Sequence, residues 1–249
     1  MNDKNPADHL ATQISERDLR RVSRRELLKL APILAAGALA VPSFDERILK
    51  SGLQAADRAG QAFFSRARLA QTFSDRDVTP VEKFPVNSYS AFNPENGLGS
   101  WTLTVEGMVA RPGQYTLEQI KALPKQTQNV RHICIEGWDV IGAFGGARMS
   151  DFLRSAGADP SARFVEVSCL DDYFSSYDME SCLHPQTLLC YEMYGKPLGA
   201  AHGAPLRVHM PVKLGYKSAK HIYSIRVGNV LGKEKGFWED QGYSWYGGI

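Results

Sequence analysis

A thiol, a cluster of cations and the glycines beside them are the residues of this chain best equipped for chemistry. Cys134 stands in Arg131-His132-Ile133-Cys134-Ile135-Glu136-Gly137-Trp138, where a strand-like run ends. Gly142, Gly145 and Gly146 come next and read as a glycine-rich loop. A thiolate is a soft ligand, suited to soft or redox-active metals. Cations such as Arg131 and His132 beside it would lower the thiol pKa. The plainer reading of the same residues is a buried cysteine in a strand.

Two further segments are Lys196-Pro197-Leu198-Gly199-Ala200-Ala201-His202-Gly203-Ala204-Pro205-Leu206-Arg207 and Lys213-Leu214-Gly215-Tyr216-Lys217-Ser218-Ala219-Lys220. They set His202, Arg207, Lys213, Lys217, Ser218 and Lys220 among glycines. A phosphorylated, hydrogen-bonding ligand needs such a set: arginine offers a planar fork, lysine a point charge, and glycine lets backbone amides approach. The competing reading is a solvated basic loop. Neither GxGxxG nor the Walker pattern occurs, which argues against a nucleotide on those scaffolds. The four cysteines, Cys134, Cys169, Cys182 and Cys190, form no CxxC pair and match no common zinc spacing. Export would permit a disulfide between two of the last three. Buried, structural thiols are the simpler reading.

The elements that must position these groups read as α+β. Residues 45–73 have helical apolar spacing, and 74–100 read as loop. Trp101, Leu103 and Val105 alternate with polar residues as in a half-buried strand, and Arg111-Pro112-Gly113 turns the chain. Thr116-Leu117-Glu118-Gln119 fits a capping box for a short helix ended by Pro124. Strands are expected over 130–135, 164–167, 206–210 and 221–227. A helix over 151–156 is expected to be capped by Ser150 and closed by Gly157.

Ahead of this lies an address. Ser23-Arg24-Arg25-Glu26-Leu27-Leu28-Lys29 precedes an uncharged apolar stretch from Leu30 to Val41. A charged start, a short apolar core and Ala38-Leu39-Ala40 outline a signal peptide, and the paired arginines match the twin-arginine pattern. Twelve apolar residues span only about 18 Å as a helix, short of a bilayer core of about 30 Å. The expected organisation is a signal at 1–40, a helical segment and linker at 41–83, and a catalytic domain at 84–249. The formal charge of +2 is accounted for by residues 1–40, which carry seven Lys/Arg against five Asp/Glu. A balanced body without a basic run argues against nucleic-acid binding.

Taken together and in order, several pieces resemble the sulfite oxidase family of molybdopterin-binding oxidoreductases. They are Arg-His-Ile-Cys-Ile-Glu-Gly-Trp at 131–138, His-Pro-Gln-Thr-Leu-Leu at 184–189 and Tyr-Gly-Lys-Pro-Leu at 194–198. His-Gly-Ala-Pro-Leu-Arg at 202–207 and Leu-Gly-Tyr-Lys-Ser-Ala-Lys at 214–220 complete the set. The similarity is greatest to the bacterial branch that contains the catalytic subunit of protein-methionine-sulfoxide reductase, and it covers about residues 84–227. The resemblance implies a molybdenum-molybdopterin cofactor with Cys134 as its protein ligand. It implies cofactor contacts from Asn87, Tyr89, Cys169, His202, Arg207, Ser218, Ala219 and Lys220. Tyr216, Tyr173 and Trp138 are candidates for lining a substrate pocket.

The chain departs from the family's animal and plant sulfite oxidases at Glu136-Gly137-Trp138, where they place an Asn and an Arg that help bind sulfite. It also ends without their dimerisation domain, which favours a monomer. Three functions are expected, in this order: reduction of a sulfoxide such as protein methionine sulfoxide, oxidation of sulfite or a related small sulfur compound, and a non-catalytic exported binding module. The enzyme readings imply the twin-arginine translocase and an electron-transfer partner, a haem membrane subunit or a cytochrome, because no CxxCH motif is present. The implied location is the periplasm, with membrane association if the signal stays uncleaved.

Overall fold

The computed structural model describes residues 46–87, 89–90 and 101–249, so the signal expected at 1–40 lies outside the described residues. Two compact units divide the chain, Met1–Ser51 and Gly52–Ile249, and the strands among the described residues lie in the second. Among the described residues no helix is long and apolar enough to cross a membrane.

Among the described residues ten strands form two five-stranded sheets, with short helices between them, so the α+β expectation holds. The first sheet runs β2 (Gly113–Tyr115), β1 (Leu103–Gly107), β10 (Ile222–Gly228), β5 (Phe164–Cys169), β6 (Phe174–Asp178). Among the described strands β1 and β10 alone pair in parallel, Val105 opposite Ile225. The second runs β3 (Lys125–Ile133), β4 (Asp139–Arg148), β7 (Leu188–Met193), β8 (Lys196–Pro197), with β9 (Arg207–His209) also on β7. The alternation read at 101–106 is real: Leu103 and Val105 are buried while Thr104 and Glu106 are less so.

Helix α1 (Glu46–Phe63) stops ten residues before the expected end at 73. The segment beyond it is held by side chains distant in sequence. The Gln186 amide accepts from Ala70 N at 2.7 Å and donates to Ala70 O at 3.1 Å, and a His184 ring nitrogen meets Arg68 O at 3.1 Å. The His-Pro-Gln motif is therefore scaffold, clamping backbone that would otherwise continue a helix. Helix α2 (Leu117–Lys121) has the expected capping box, Thr116 and Gln119 bonding reciprocally. Helix α3 (Met149–Ala156) ends at Gly157 in the left-handed conformation, as expected, but begins two residues early. Ser150 is not its cap, because it is the second residue of the helix: the N-cap position falls on Arg148, whose side chain makes no capping bond, and the first helical amide, Met149 N, donates to Thr187 O instead.

The expected glycine-rich loop at 142–146 is part of β4. Gly146 serves close approach rather than flexibility, because a Cβ there would collide with Leu189 O and lie 2.7 Å from Cys190 Cα, at the bulge where β4 meets β7. All four cysteines are free and buried, so no disulfide forms among the last three.

Lys213 and Lys217, expected from the sequence to be ligand-binding cations, belong to the framework. Lys217 is buried, donates to Ser176 O at 2.8 Å and pairs with Glu239 of the short helix Phe237–Asp240. Lys213 lies 3.6 Å from Asp178, with its ammonium over the Tyr246 ring. Removing one partner of a buried pair leaves the other charge uncompensated. Glu239→Ala is therefore expected to lose about 3–5 kcal/mol of stability in urea unfolding, a loss that Lys217→Met in the same chain reduces.

Candidate active site

Strand β3 delivers Cys134 to the first position of a five-residue connection into β4. Cys134 N donates to Trp138 O at 2.9 Å and Gly137 N to Cys134 O at 3.2 Å. Gly137 takes φ +93°, a conformation that glycine adopts without strain. The thiol is buried at the mouth of this turn. Asn87 Nδ2 lies 3.6 Å from its sulfur and donates to the Glu136 carboxylate at 3.0 Å. Trp138 Nε1 donates to the same carboxylate oxygen at 2.9 Å. Asn87, Glu136 and Trp138 therefore form a hydrogen-bonded collar beside the sulfur.

Burial and the Glu136 carboxylate push the Cys134 thiol up, not down. The two cations expected to activate it do not. Arg131 turns to Asp139 and lies over Phe73, and burial, with Arg207 and Lys220 nearby, drives His132 down to about 3, leaving it neutral. Its ring stacks on His209 at 5.9 Å, which stacks on Phe144 at 3.6 Å. Burial lowers the His209 pKa strongly as well. The neutral imidazoles fill the space between β3 and β9.

Arg207 opens β9 and is almost fully buried. It donates to His202 O at 3.0 Å and Ser218 O at 3.4 Å, while its Nε is buried without a partner. Lys220 donates to Ala201 O at 3.1 Å and to the carbonyl of Asn87. Neither cation has an ion-pair partner among the described residues. Burial and Arg207 bring Lys220 down to about 8, and burial with both cations lowers His202. Gly203, at φ +109°, lets the two cations lie side by side: a Cβ there would stand 3.1 Å from Arg207 Cβ and 3.2 Å from Lys220 Cβ.

The structure thus brings together Cys134, Asn87, His202, Arg207 and Lys220. Ser218 and Ala219 lie on the same buried segment, where Ser218 Oγ accepts from Met210 N and Ala219 O from Val208 N. Cys169, buried at the end of β5, feels both Asp171 and Lys220. Tyr89 is placed differently, its ring packed on Phe237 at 4.3 Å and on Tyr173 at 5.8 Å. Tyr173 and Tyr216 are buried and spend their hydroxyls on the carbonyls of Tyr216 and Ser244, so neither offers a free group to a substrate. Of the three aromatic candidates Trp138 alone borders the thiol. His209 escaped the sequence reading, although it stands two residues from Arg207, the spacing that puts strand residues on one face.

This donor set fits a ligand that carries its own metal and a phosphate. Among the described residues no three of His, Cys, Asp or Glu converge on a possible metal position, and Cys134 is a soft donor beside the cations. The buried Arg207 with its orphaned Nε, and the partly buried Lys220 beside it, neither ion-paired among the described residues, call for an anion.

Comparison with known proteins settles the class. The profile of the oxidoreductase molybdopterin binding domain matches residues 90–238. The chain belongs to this family. It is 39% identical, over 82% of its length and 79% of the relative's, to an Azospira oryzae chain assigned provisionally as a protein-methionine-sulfoxide reductase subunit. It is 29% identical to the protein-methionine-sulfoxide reductase catalytic subunit of Ralstonia nicotianae, over 82% of this chain and 68% of that one. The same enzyme of Xanthomonas axonopodis is also 29% identical, over 89% and 73%. The fold is shared with the sulfane dehydrogenase SoxCD of Paracoccus pantotrophus, with TM-score 0.50 and 19% identity over 54% of this chain and 39% of that one. The protein is a molybdopterin-dependent oxidoreductase.

An anion at Arg207 and Lys220 favours protonated Lys220. Sulfate, whose charge is constant over this range, is therefore expected to bind the cofactor-free protein more weakly as pH rises through about 8. Calorimetric titration on either side of that value checks this, and Lys220→Met should flatten the pH dependence.

Proposed function

We propose that this protein is exported by the twin-arginine route and reduces sulfoxides, methionine sulfoxide in proteins foremost, with a molybdenum-molybdopterin cofactor. The relatives' names support the substrate class. The observation that carries the choice is the collar at Cys134: its charged member is the Glu136 carboxylate, and its donors, Asn87 and Trp138, are neutral. A neutral, polar S=O group can approach such a collar; a doubly charged sulfite is repelled by it. Sulfite oxidation is the second reading, and the carboxylate disfavours it.

In this reading Cys134 ligates the metal. Arg207 and Lys220, with Ser218 and Ala219 on the segment between, hold the phosphate end, and His202 and Asn87 contact the pterin. Tyr89 and Cys169 join the pterin contacts by family resemblance. The bound cofactor supplies two-electron chemistry at a metal able to accept an oxygen atom. The overall change is balanced by two electrons and two protons, turning sulfoxide into thioether and water. Lys220 donates to the Asn87 carbonyl, so filling of the phosphate end bears on the residue that touches the thiol. Glu136 fixes the Asn87 amide from the other side. Electrons come from a separate partner, a haem membrane subunit or a cytochrome. The relatives' designation as subunits supports one. The working location is the periplasm.

Protein purified after expression with the cofactor pathway is expected to carry about one molybdenum and one pterin per chain and to oxidise reduced viologen with methionine sulfoxide. Cys134→Ser should abolish turnover while keeping pterin bound at Arg207 and Lys220. Wild type without molybdenum under these conditions would sink the proposal and favour the non-catalytic binding module. Glu136→Gln should raise kcat/KM for sulfite with an artificial acceptor by about tenfold and change sulfoxide reduction far less.

A further inference from the structure

Helix α1 lies mostly in solvent. Among the described residues from Gly52 to Phe63, Asp57 and Gly60 alone are not exposed. They stand three apart, on one face of the helix. A Cβ at Gly60 would come within 2.8 Å of the Tyr246 ring, so the helix meets the C-terminal segment closely. Asp57 makes the polar part of that contact. Its carboxylate accepts from Trp245 N at 3.0 Å, from Tyr246 N at 3.3 Å and from the Ser244 hydroxyl. Bonds from successive amides and a hydroxyl to one carboxylate are charge-assisted, and they fix the course of the backbone they hold. Asparagine in its place would keep the shape but turn one acceptor into a donor facing these donors.

The segment tied by Asp57 grips the turn that leads to the cofactor-side residues. Gly247 O accepts from Leu214 N at 2.8 Å, and Ile249 N donates to Val212 O at 3.2 Å. Ser244 O accepts from the Tyr216 hydroxyl at 2.6 Å. Trp245 Nε1 donates to Ser176 Oγ at 2.8 Å, and the carbonyl of Ser176 accepts from Lys217 Nζ. Val212, Leu214 and Tyr216 are thus each bonded to residues 244–249.

The turn itself, Gly215–Lys217, touches both ends of the candidate site. On one side it presses on the end of β3. A Cβ at Gly215 would stand 2.7 Å from His132 Nε2 and 3.2 Å from Ile133 O, and Cys134 is the next residue. On the other side it runs directly into Ser218, Ala219 and Lys220. Both α1 and residues 244–249 lie outside 90–238, the stretch that the family profile matches, so this contact is added to the matched domain.

We infer that Asp57 is a positioning residue for the cofactor: through residues 244–249 it holds the turn 215–217 against β3, and so sets Ser218, Ala219 and Lys220 where a phosphate is met. The inference rests on the reading of Arg207 and Lys220 as the phosphate end of the cofactor site. By linkage, a phosphate group bound there tightens the hold on 244–249 in return.

The test uses the full chain purified with its cofactor, wild type beside Asp57→Asn and Tyr216→Phe, which cut the strap at its two ends. Thr116→Ala, which removes the cap of α2, controls for general loss of stability. Hydrogen exchange of the amides in 213–220 should speed about tenfold in both strap variants, while those of α3 keep their rate. Loss of pterin from the loaded protein into excess inorganic phosphate, which competes for Arg207 and Lys220, should also speed about tenfold in both, and should be unchanged in Thr116→Ala. In a Lys220→Met background Asp57→Asn should add less than about twofold, because the two residues act through one contact. Unaltered exchange at 213–220 or unaltered pterin loss in the strap variants overturns the inference. So does an equal effect of Thr116→Ala, which makes stability the cause, or the full tenfold effect in the Lys220→Met background, which shows that Asp57 does not act through Lys220. Wild type that carries no pterin counts against the phosphate-end reading, while exchange at 213–220 in the same chain still decides whether Asp57 holds the turn.

Discussion

Arg207 is buried with its Nε unsatisfied and, among the described residues, no carboxylate paired with it. A desolvated cation in that state is costly unless something negative arrives. Much of the surrounding architecture answers to that constraint. Gly203 removes the Cβ that would separate Arg207 from Lys220. The backbone carbonyls of His202 and Ser218 partly solvate the guanidinium. The two neighbouring histidines are neutral, so His132 and His209 can stack between β3 and β9 without adding charge. A protein that bound a phosphate-bearing cofactor through such a centre, as proposed, would be preorganised for it, at a cost in stability when the ligand is missing.

The contrast with Lys213 and Lys217 shows why a run of cations is an incomplete signal. All three lysines between 213 and 220 are at least partly withdrawn from water. Lys217 meets Glu239 and Lys213 meets Asp178, so their charges are spent inside the framework. Lys220 meets carbonyl oxygens, and its charge remains for a ligand. Sequence spacing treats them alike; the acid supplied by a distant element separates them.

Strand β3 separates two environments by its alternation. His132 faces inward and stacks on His209, while Arg131 faces outward and pairs with Asp139. Cys134 follows directly after the strand, in the turn where Asn87, Glu136 and Trp138 form the collar beside its sulfur. In the proposed reading that collar would select by charge at the sulfur.

Local chemistry was enough to read some features in the sequence. Thr116 and Gln119 make a cap whose partners lie within one turn, Gly157 ends a helix by its own φ, and the alternation at 101–106 needs one buried face. Cys134 as a possible soft donor and the cationic segments around Arg207 and Lys220 were legible too, because residue type dictates softness and charge, while the role of Cys134 as metal ligand is what the family resemblance implies. Tertiary structure decided the rest. Helix α1 stops at Phe63 and the backbone beyond it is clamped by Gln186, more than a hundred residues away. Gly142, Gly145 and Gly146 lie in a strand because β3 and β7 pair on either side of it. The thiol pKa rises because burial and Glu136 outweigh the cations written beside it, which point elsewhere. Sequence determines what each side chain can do; which of them meet, and in how much water, depends on contacts between residues far apart in the chain.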